Sequence, residues 1–188
     1  MYNLLKGKKG IIFGALNADS MAWKTAQRCH SEGAQIVLTN APIAMRLGEI
    51  NKLAEELGNA PIIPADATKN EDLEALFTKS MEHLGGKIDF VLHSIGMSIN
   101  IRKNRHYAEA VHEDFLKGMD ISALSLHRTL AAAWKLDALA SHASVLSLSY
   151  IAAQRTFPGY GDMADNKSYL ESITRSFGYY YGKKNGTR

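Results

Sequence analysis

The sequence is poor in the residues that mark whole classes of protein. A single cysteine, Cys29, permits no internal disulfide and no zinc site built from cysteines, so a disulfide-stapled domain is excluded and no metal is expected. The four prolines are scattered, and there is no repeat, low-complexity tract or Pro/Ser-rich linker, so residues 1–188 read as one domain. Neither sign of charge dominates. Lys and Arg number 22 against 19 Asp and Glu, and the net charge of +3 is too small and too interspersed to nominate nucleic acid as a partner. No segment approaches the roughly 18 apolar residues that span a bilayer. The opening MYNLLKGKKGIIFGALNADS has an apolar stretch, Ile11 to Leu16, too short for a signal peptide and followed at once by Asn17 and Asp19. The expectation is a cytoplasmic protein without membrane contact.

What is present is a globular composition, 46% apolar and 22% charged. A chain of this length buries roughly 70% of its unfolded surface, enough for a core without staples. Short apolar runs recur at Gly10 to Ala15, Ala34 to Thr39, Pro61 to Pro64, Ile88 to His93 and Ser144 to Tyr150. Each suits a strand buried on both faces. Between them lie helical patterns. Ile43, Leu47, Ile50, Ala54 and Leu57 share a face, with Gly58 as a stop. Leu73, Leu76, Phe77, Met81 and Leu84 repeat it, behind a Thr68 and Glu71 capping box. Longer helices are expected over His112 to Leu136 and from Met163 to Tyr181. Strand alternating with helix predicts an α/β fold: a doubly wound parallel sheet of Rossmann type in a three-layer α/β/α sandwich.

In such sheets ligands sit beyond the carboxyl ends of the strands. After the first strand comes GALNADSMAW, with Gly14 at the strand end and Ser20 in N-cap position before a helix. Free N–H groups and the helix dipole suit that turn to a pyrophosphate. The full GxGxxG pattern is absent, so a tight turn with a capping serine is the competing reading. Asp66 and Ala67, after the third strand, are placed to receive an adenine amino group; alternatively Asp66 caps the next turn. Ser94, Ile95 and Gly96 put small or flat residues where a ribose and nicotinamide would pass.

After the fifth strand, Tyr150, Tyr160 and Lys167 follow in SLSYIAAQRTFPGYGDMADNK. A phenol of pKa near 10 is a poor acid at neutral pH unless a cation favours the phenolate. Lys167, expected close to Tyr160, could supply that charge and hold the hydroxyls of a nicotinamide ribose. Eight tyrosines in the chain leave packing as the alternative role.

Taken together, GALNADSMAW, DAT after strand three, LHSIGMS after strand four, DISA in the long helix and the Tyr-x9-Tyr-x6-Lys spacing resemble the NADH-dependent enoyl-acyl-carrier-protein reductases of the short-chain dehydrogenase/reductase superfamily. The resemblance implies reduction of trans-2-enoyl thioesters on acyl carrier protein in fatty-acid synthesis, with NADH as cofactor and a dimer or tetramer as the assembly. Tyr160 would be the acid, Tyr150 the second active-site tyrosine and Lys167 the ribose clamp. Gly14, Ser20 and Met21 would contact the pyrophosphate side, Asp66 and Ala67 the adenine, and Ser94, Ile95 and Gly96 the ribose and nicotinamide. Ser98 would sit at the substrate position, beside an apolar slot near Ile95, Met97 and Phe157.

The sequence also departs from the pattern. The second strand ends Thr39-Asn40-Ala41 without an acidic residue for a ribose 2′-hydroxyl, while Arg46 could meet a 2′-phosphate, so NADPH stays open. Relatives continue past Arg188 into further strands and a loop over the nicotinamide, which leaves strand five as an exposed edge and puts turnover by this chain in question. A dinucleotide-binding fragment without turnover, or another short-chain dehydrogenase acting on a carbonyl, are the alternatives. Arg102 to His106 is expected to help dock an acidic carrier, or to be a solvated loop.

Overall fold

In the computed structural model, which describes residues 2–188, four apolar segments pair side by side. They are β1 (Lys9–Phe13), β2 (Gln35–Thr39), β3 (Ile88–His93) and β4 (Leu139–Ser147). All pairings are parallel, in the order β2-β1-β3-β4, so the winding reverses between β1 and β3. Alternation along each strand sends successive side chains to opposite faces. Ile11, Phe13, Val37 and Val91 enter one core; Ile12, Leu38 and Leu92 enter the other.

Helices cover both faces. Against Ile12 and Leu38 lie α1 (Met21–Ser31), through Ala22, Trp23 and Ala26, and, beyond the short α2 (Pro42–Leu47), α3 (Ile50–Glu56), through Ile50 and Leu53. The other face carries α4 (Asn70–Leu84). After the short α5 (Ile99–Arg102) it is completed by the rod of α6 (His112–Met119), a π-helical turn over Asp120–Leu124 and α7 (Ser125–Lys135), and by α8 (Gly161–Asn185). Leu73, Leu76, Phe77, Leu126, Leu130, Leu170 and Ile173 fill that core. Each such side chain contributes about 1.5–3 kcal/mol on burial. This is the doubly wound, three-layer α/β/α fold.

Several elements differ from the sequence reading. Pro61 to Pro64 forms only an isolated parallel bridge, Ile62 to Leu38, with Leu38 N–H donating to Pro61 O at 2.9 Å and Ile63 N–H to Leu38 O at 3.0 Å. Pro61 has no N–H with which to start the ladder earlier. The helix expected over residues 43–57 breaks at Gly48, leaving Ile43 and Leu47 exposed while Ile50, Ala54 and Leu57 are buried. The Thr68 and Glu71 capping box does not form. The N-cap of α4 is Lys69, without a side-chain cap, and the Thr68 hydroxyl donates to Asp66 Oδ1 instead.

The last strand begins at Leu139, earlier than expected, and reaches β3 through an irregularity between Ile88 and Phe90. Its outer edge is not bare. Arg188 N–H donates to Ala143 O at 2.9 Å and Val145 N–H to Arg188 O at 2.7 Å, on the side away from β3. On α7 and α8, Leu126 and Leu130 belong to the core, whereas Trp134 and Tyr180 are exposed. Among the described residues no helix is long and apolar enough to cross a membrane, and no cluster of potential metal ligands occurs.

Candidate active site

The carboxyl ends of β1 and β3 meet at the point where the winding reverses. Gly14 has φ +84°, and a Cβ there would lie 1.9 Å from Ser94 O. Only glycine gives both that conformation and that approach. The contact joins two predicted groups, the Gly14 turn and the Ser94–Gly96 loop. Ser20 caps α1, its Oγ accepting from Trp23 N–H at 3.3 Å and donating to Asn17 O at 2.9 Å. Met21 follows, exposed at the first helical position.

Asp66 lies farther along the same rim, after the bridge beside β2. Its Oδ1 accepts the Thr68 N–H at 3.0 Å and the Thr68 hydroxyl at 2.7 Å. Burial raises its carboxyl, but these two bonds, with Lys69 and Arg128, outweigh burial and hold it below the ordinary range. The turn-capping role is therefore present, and Ala67 beside it is buried.

Lys167 is 7% exposed and reaches from α8 to two backbones. Its Nζ donates to Leu148 O, just past β4, at 2.6 Å and to Ile95 O, past β3, at 3.4 Å. A Cβ on exposed Gly96 would stand 3.6 Å from the ammonium, so this glycine leaves a side of the cation open. Burial lowers the pKa of Lys167.

Tyr150 and Tyr160 pack together with ring centroids 4.7 Å apart, and Phe157 sets its ring at 5.4 Å from Tyr150 in an edge-on arrangement. Burial first, and Tyr150 second, raise the Tyr160 phenol above its ordinary value of 10. The sequence reading had Lys167 lower it; that is overturned. The ammonium is committed to carbonyls of two strand ends, and the phenol sits against another aromatic ring.

Ser98, expected at the substrate position, has its hydroxyl engaged within the protein. It is buried and caps α5, accepting from Ile101 N–H at 3.0 Å, while its hydroxyl donates to Asp162 Oδ1 at 2.6 Å. Asn100 Nδ2 donates to the other Asp162 oxygen at 2.9 Å, and Arg105 donates to Asn100 Oδ1 at 2.7 Å. This buried network ties the segment after β3 to the start of α8. It also removes charge from the predicted docking stretch, since Arg105 and Lys103 both pair with Asp114. Phe157, expected beside an apolar slot with Ile95 and Met97, lines an open cleft of about 890 Å³ of mixed character, with Ile101, Ala152 and Pro158 but also Arg155 and Asp165; neither Ile95 nor Met97 borders it.

Two further anchors were not singled out from the sequence. Ser122, in the π-helical turn, accepts Met97 N–H at 2.9 Å and donates to Met97 O at 3.1 Å. His93, fully buried at the end of β3, lies 2.8 Å from Ser125 Oγ, whose own proton goes to Ile121 O at 2.6 Å. Nε2 must then donate, leaving Nδ1 unprotonated and without a partner. Burial, aided by Lys167, pushes this imidazole down to about 3. The DISA stretch and the histidine were visible signals, but nothing in the sequence said which backbone they hold.

Comparison with known proteins agrees with this arrangement. A family model described as enoyl-(acyl carrier protein) reductase matches residues 14–188. The chain is 33% identical over 172 residues to the enoyl-[acyl-carrier-protein] reductase [NADH] 1 of Rhizobium meliloti (strain 1021), covering 92% of this chain and 62% of the relative, and 30% identical to that of Aquifex aeolicus (strain VF5), covering 94% and 64%. It thus spans somewhat less than two thirds of the length of these curated relatives. The crystal structure of FabI from Alistipes finegoldii superposes with a TM-score of 0.97 at 57% identity, over all of this chain and 72% of that one; a FabI-NADH complex from the same organism matches equally well. A family match over nearly the whole chain, added to a parallel sheet whose switch point carries Gly14 and whose strand ends are joined by Lys167, leads to one assignment: the chain belongs to the enoyl-(acyl carrier protein) reductase family.

Proposed function

We propose that this chain carries the cofactor-binding and acid-donating machinery of an NADH-dependent enoyl-acyl-carrier-protein reductase, working in the cytoplasm on trans-2-enoyl thioesters of fatty-acid synthesis. The observation that carries the proposal is Lys167, a buried cation held by the backbone just past β3 and β4 and bordered by the exposed Gly96. The residues present fit a dinucleotide. The N–H groups of Ala18, Met21 and Ala22 have no protein acceptor among the described residues, and they lie at the positive end of α1, where a pyrophosphate binds well. Ser94, Ile95 and Gly96 supply the wall for ribose and nicotinamide, Lys167 the donors for the ribose hydroxyls, and Asp66 and Ala67 the rim for adenine.

Bound NADH supplies the hydride for the β-carbon of the enoyl thioester. The chain's own part is to stabilise the negative charge that grows on the thioester oxygen. Tyr160, kept neutral by burial, donates a hydrogen bond to that oxygen, and the bond is strongest in the transition state. The raised phenol thus suits a hydrogen-bond donor that need not ionise. Tyr150 holds the Tyr160 ring from the side and shares contact with substrate. Lys167 positions rather than acidifies. Ser98 serves through Asp162, shaping the substrate wall.

The acyl group is taken from acyl carrier protein, and the assembly is a homodimer or tetramer built on α7 and α8. NADH is the cofactor read from the relatives' names; Arg46, exposed and without an acidic partner among the described residues, keeps NADPH in the test. The deciding experiment follows NADH fluorescence for binding and absorbance loss for oxidation with a crotonyl thioester. Binding with oxidation supports the proposal. Binding without oxidation supports a dinucleotide-binding module, and absence of both sinks it.

A further inference from the structure

A phosphate-binding turn must face its N–H groups outward, so its carbonyls have to be turned away and bonded elsewhere. In this chain the connection from β2 to α3 takes two of them, while Ser20 takes that of Asn17. Asn40 Nδ2 donates to Ala15 O at 3.4 Å, and Glu49 N–H donates to Leu16 O at 2.7 Å. Between these donors sits Gly48, where a Cβ would stand 2.5 Å from Leu16 O and 2.7 Å from Leu16 Cδ1. Its backbone is extended, with φ −111° and ψ −176°, a region open to any residue. Glycine is needed there for space, not for conformation.

We infer that Gly48 and Asn40 are positioning residues for dinucleotide binding: by receiving the Ala15 and Leu16 carbonyls, the β2–α3 connection fixes the direction of the turn's peptides and thereby its affinity. The inference rests on the assignment of that turn to a cofactor pyrophosphate. Neither residue touches the reacting atoms; both act through the turn.

Gly48→Ala tests this role by bulk alone, because alanine is at ease in an extended conformation and its stiffening of the unfolded chain by itself favours folding. The added methyl presses first on Leu16 and, less closely, on Ala44 O at 3.2 Å. NADH affinity of the folded variant, read by fluorescence titration, is expected to fall about tenfold, with ADP-ribose losing the same factor. Asn40→Ala adds no bulk and is expected to weaken NADH about threefold, which preserves the test should Gly48→Ala fail to fold. Amide hydrogen exchange gives a second readout without ligand: residues 15–20 should exchange faster in both variants while β1 and β2 do not change. In a wild type that binds NADH, unchanged affinity in the folded variants overturns the inference. In a wild type that binds no NADH, the cofactor assignment fails by itself, and exchange decides the clamp: faster exchange upholds it and unchanged exchange overturns it.

Discussion

Tyr160, at the N-cap of α8, and Lys167, within that helix, stand seven residues apart, yet they face different tasks. Tyr160 makes an aromatic contact and offers its hydroxyl; Lys167 bonds to Leu148 O and Ile95 O. Replacing Tyr160 with Phe should therefore lower turnover on a crotonyl thioester about 10²–10³-fold, the usual loss on removing one donor to a developing oxyanion, while NADH affinity holds. Lys167→Ala should weaken NADH binding about 10–100-fold, as expected for a charge-assisted hydrogen bond to the ribose. Fluorescence titration beside steady-state rates separates the two profiles. Unchanged NADH affinity in Lys167→Ala would show that the ribose clamp is misassigned.

At the scale of elements, the site depends on how β3 and its loop are held against the α6–α7 rod. Ser122 closes both hydrogen-bonding groups of Met97, and its hydroxyl is fully buried. Ser122→Ala leaves that N–H and C=O without their partner and should lower the unfolding free energy by about 1–3 kcal/mol, measured by urea titration. His93 makes the second joint. Its folded pKa of about 3 lies below the ordinary 6.5, so as pH falls the unfolded chain takes up a proton well before the folded one. Its share of stability is full above about pH 6.5 and drains away from there toward pH 3, by up to about 1.4 kcal/mol per pH unit. Between pH 7 and pH 5 the wild type should lose about 2 kcal/mol more than His93→Gln, which cannot take the proton. Equal slopes in the two proteins would mean that the imidazole is charged inside the fold.

For the whole molecule, the open question is what covers the outer surface of α7 and α8. Trp134 is 41% exposed and Tyr180 60%, at the far end of these helices from the tyrosine pair. The proposed homo-oligomer would bury them, and sedimentation at micromolar concentration should give a mass of at least two chains. A mass of one chain would return these aromatics to ordinary surface, where Lys184 already lies over the Trp134 ring at 4.3 Å. The same scale shows why the proposed site draws on so many segments. The turn after β1, the loop after β3 and the first turns of α8 all converge because a parallel sheet puts every strand's carboxyl end on one rim.

Much of this was determined by local sequence. Apolar runs of strand length and a helical period between them specify a parallel sheet with helices on both faces, because each pattern can bury its apolar side only there. The Gly14 turn and the Ser20 cap could be read because turn geometry and capping are short-range properties. Other outcomes depended on partners distant in the chain. Whether Lys167 tunes a phenol or holds two strand ends is decided by the carbonyls of Ile95 and Leu148, and Ser98 became a buried cap because Asp162 lies 64 residues away at 2.6 Å. The break at Gly48 depended on the Leu16 carbonyl, and the bridge at Ile62 on a proline unable to donate. Periodicity reports which face of an element is apolar; hydrogen bonds and burial between elements, which set the chemistry of a side chain, exist only once the layers have packed.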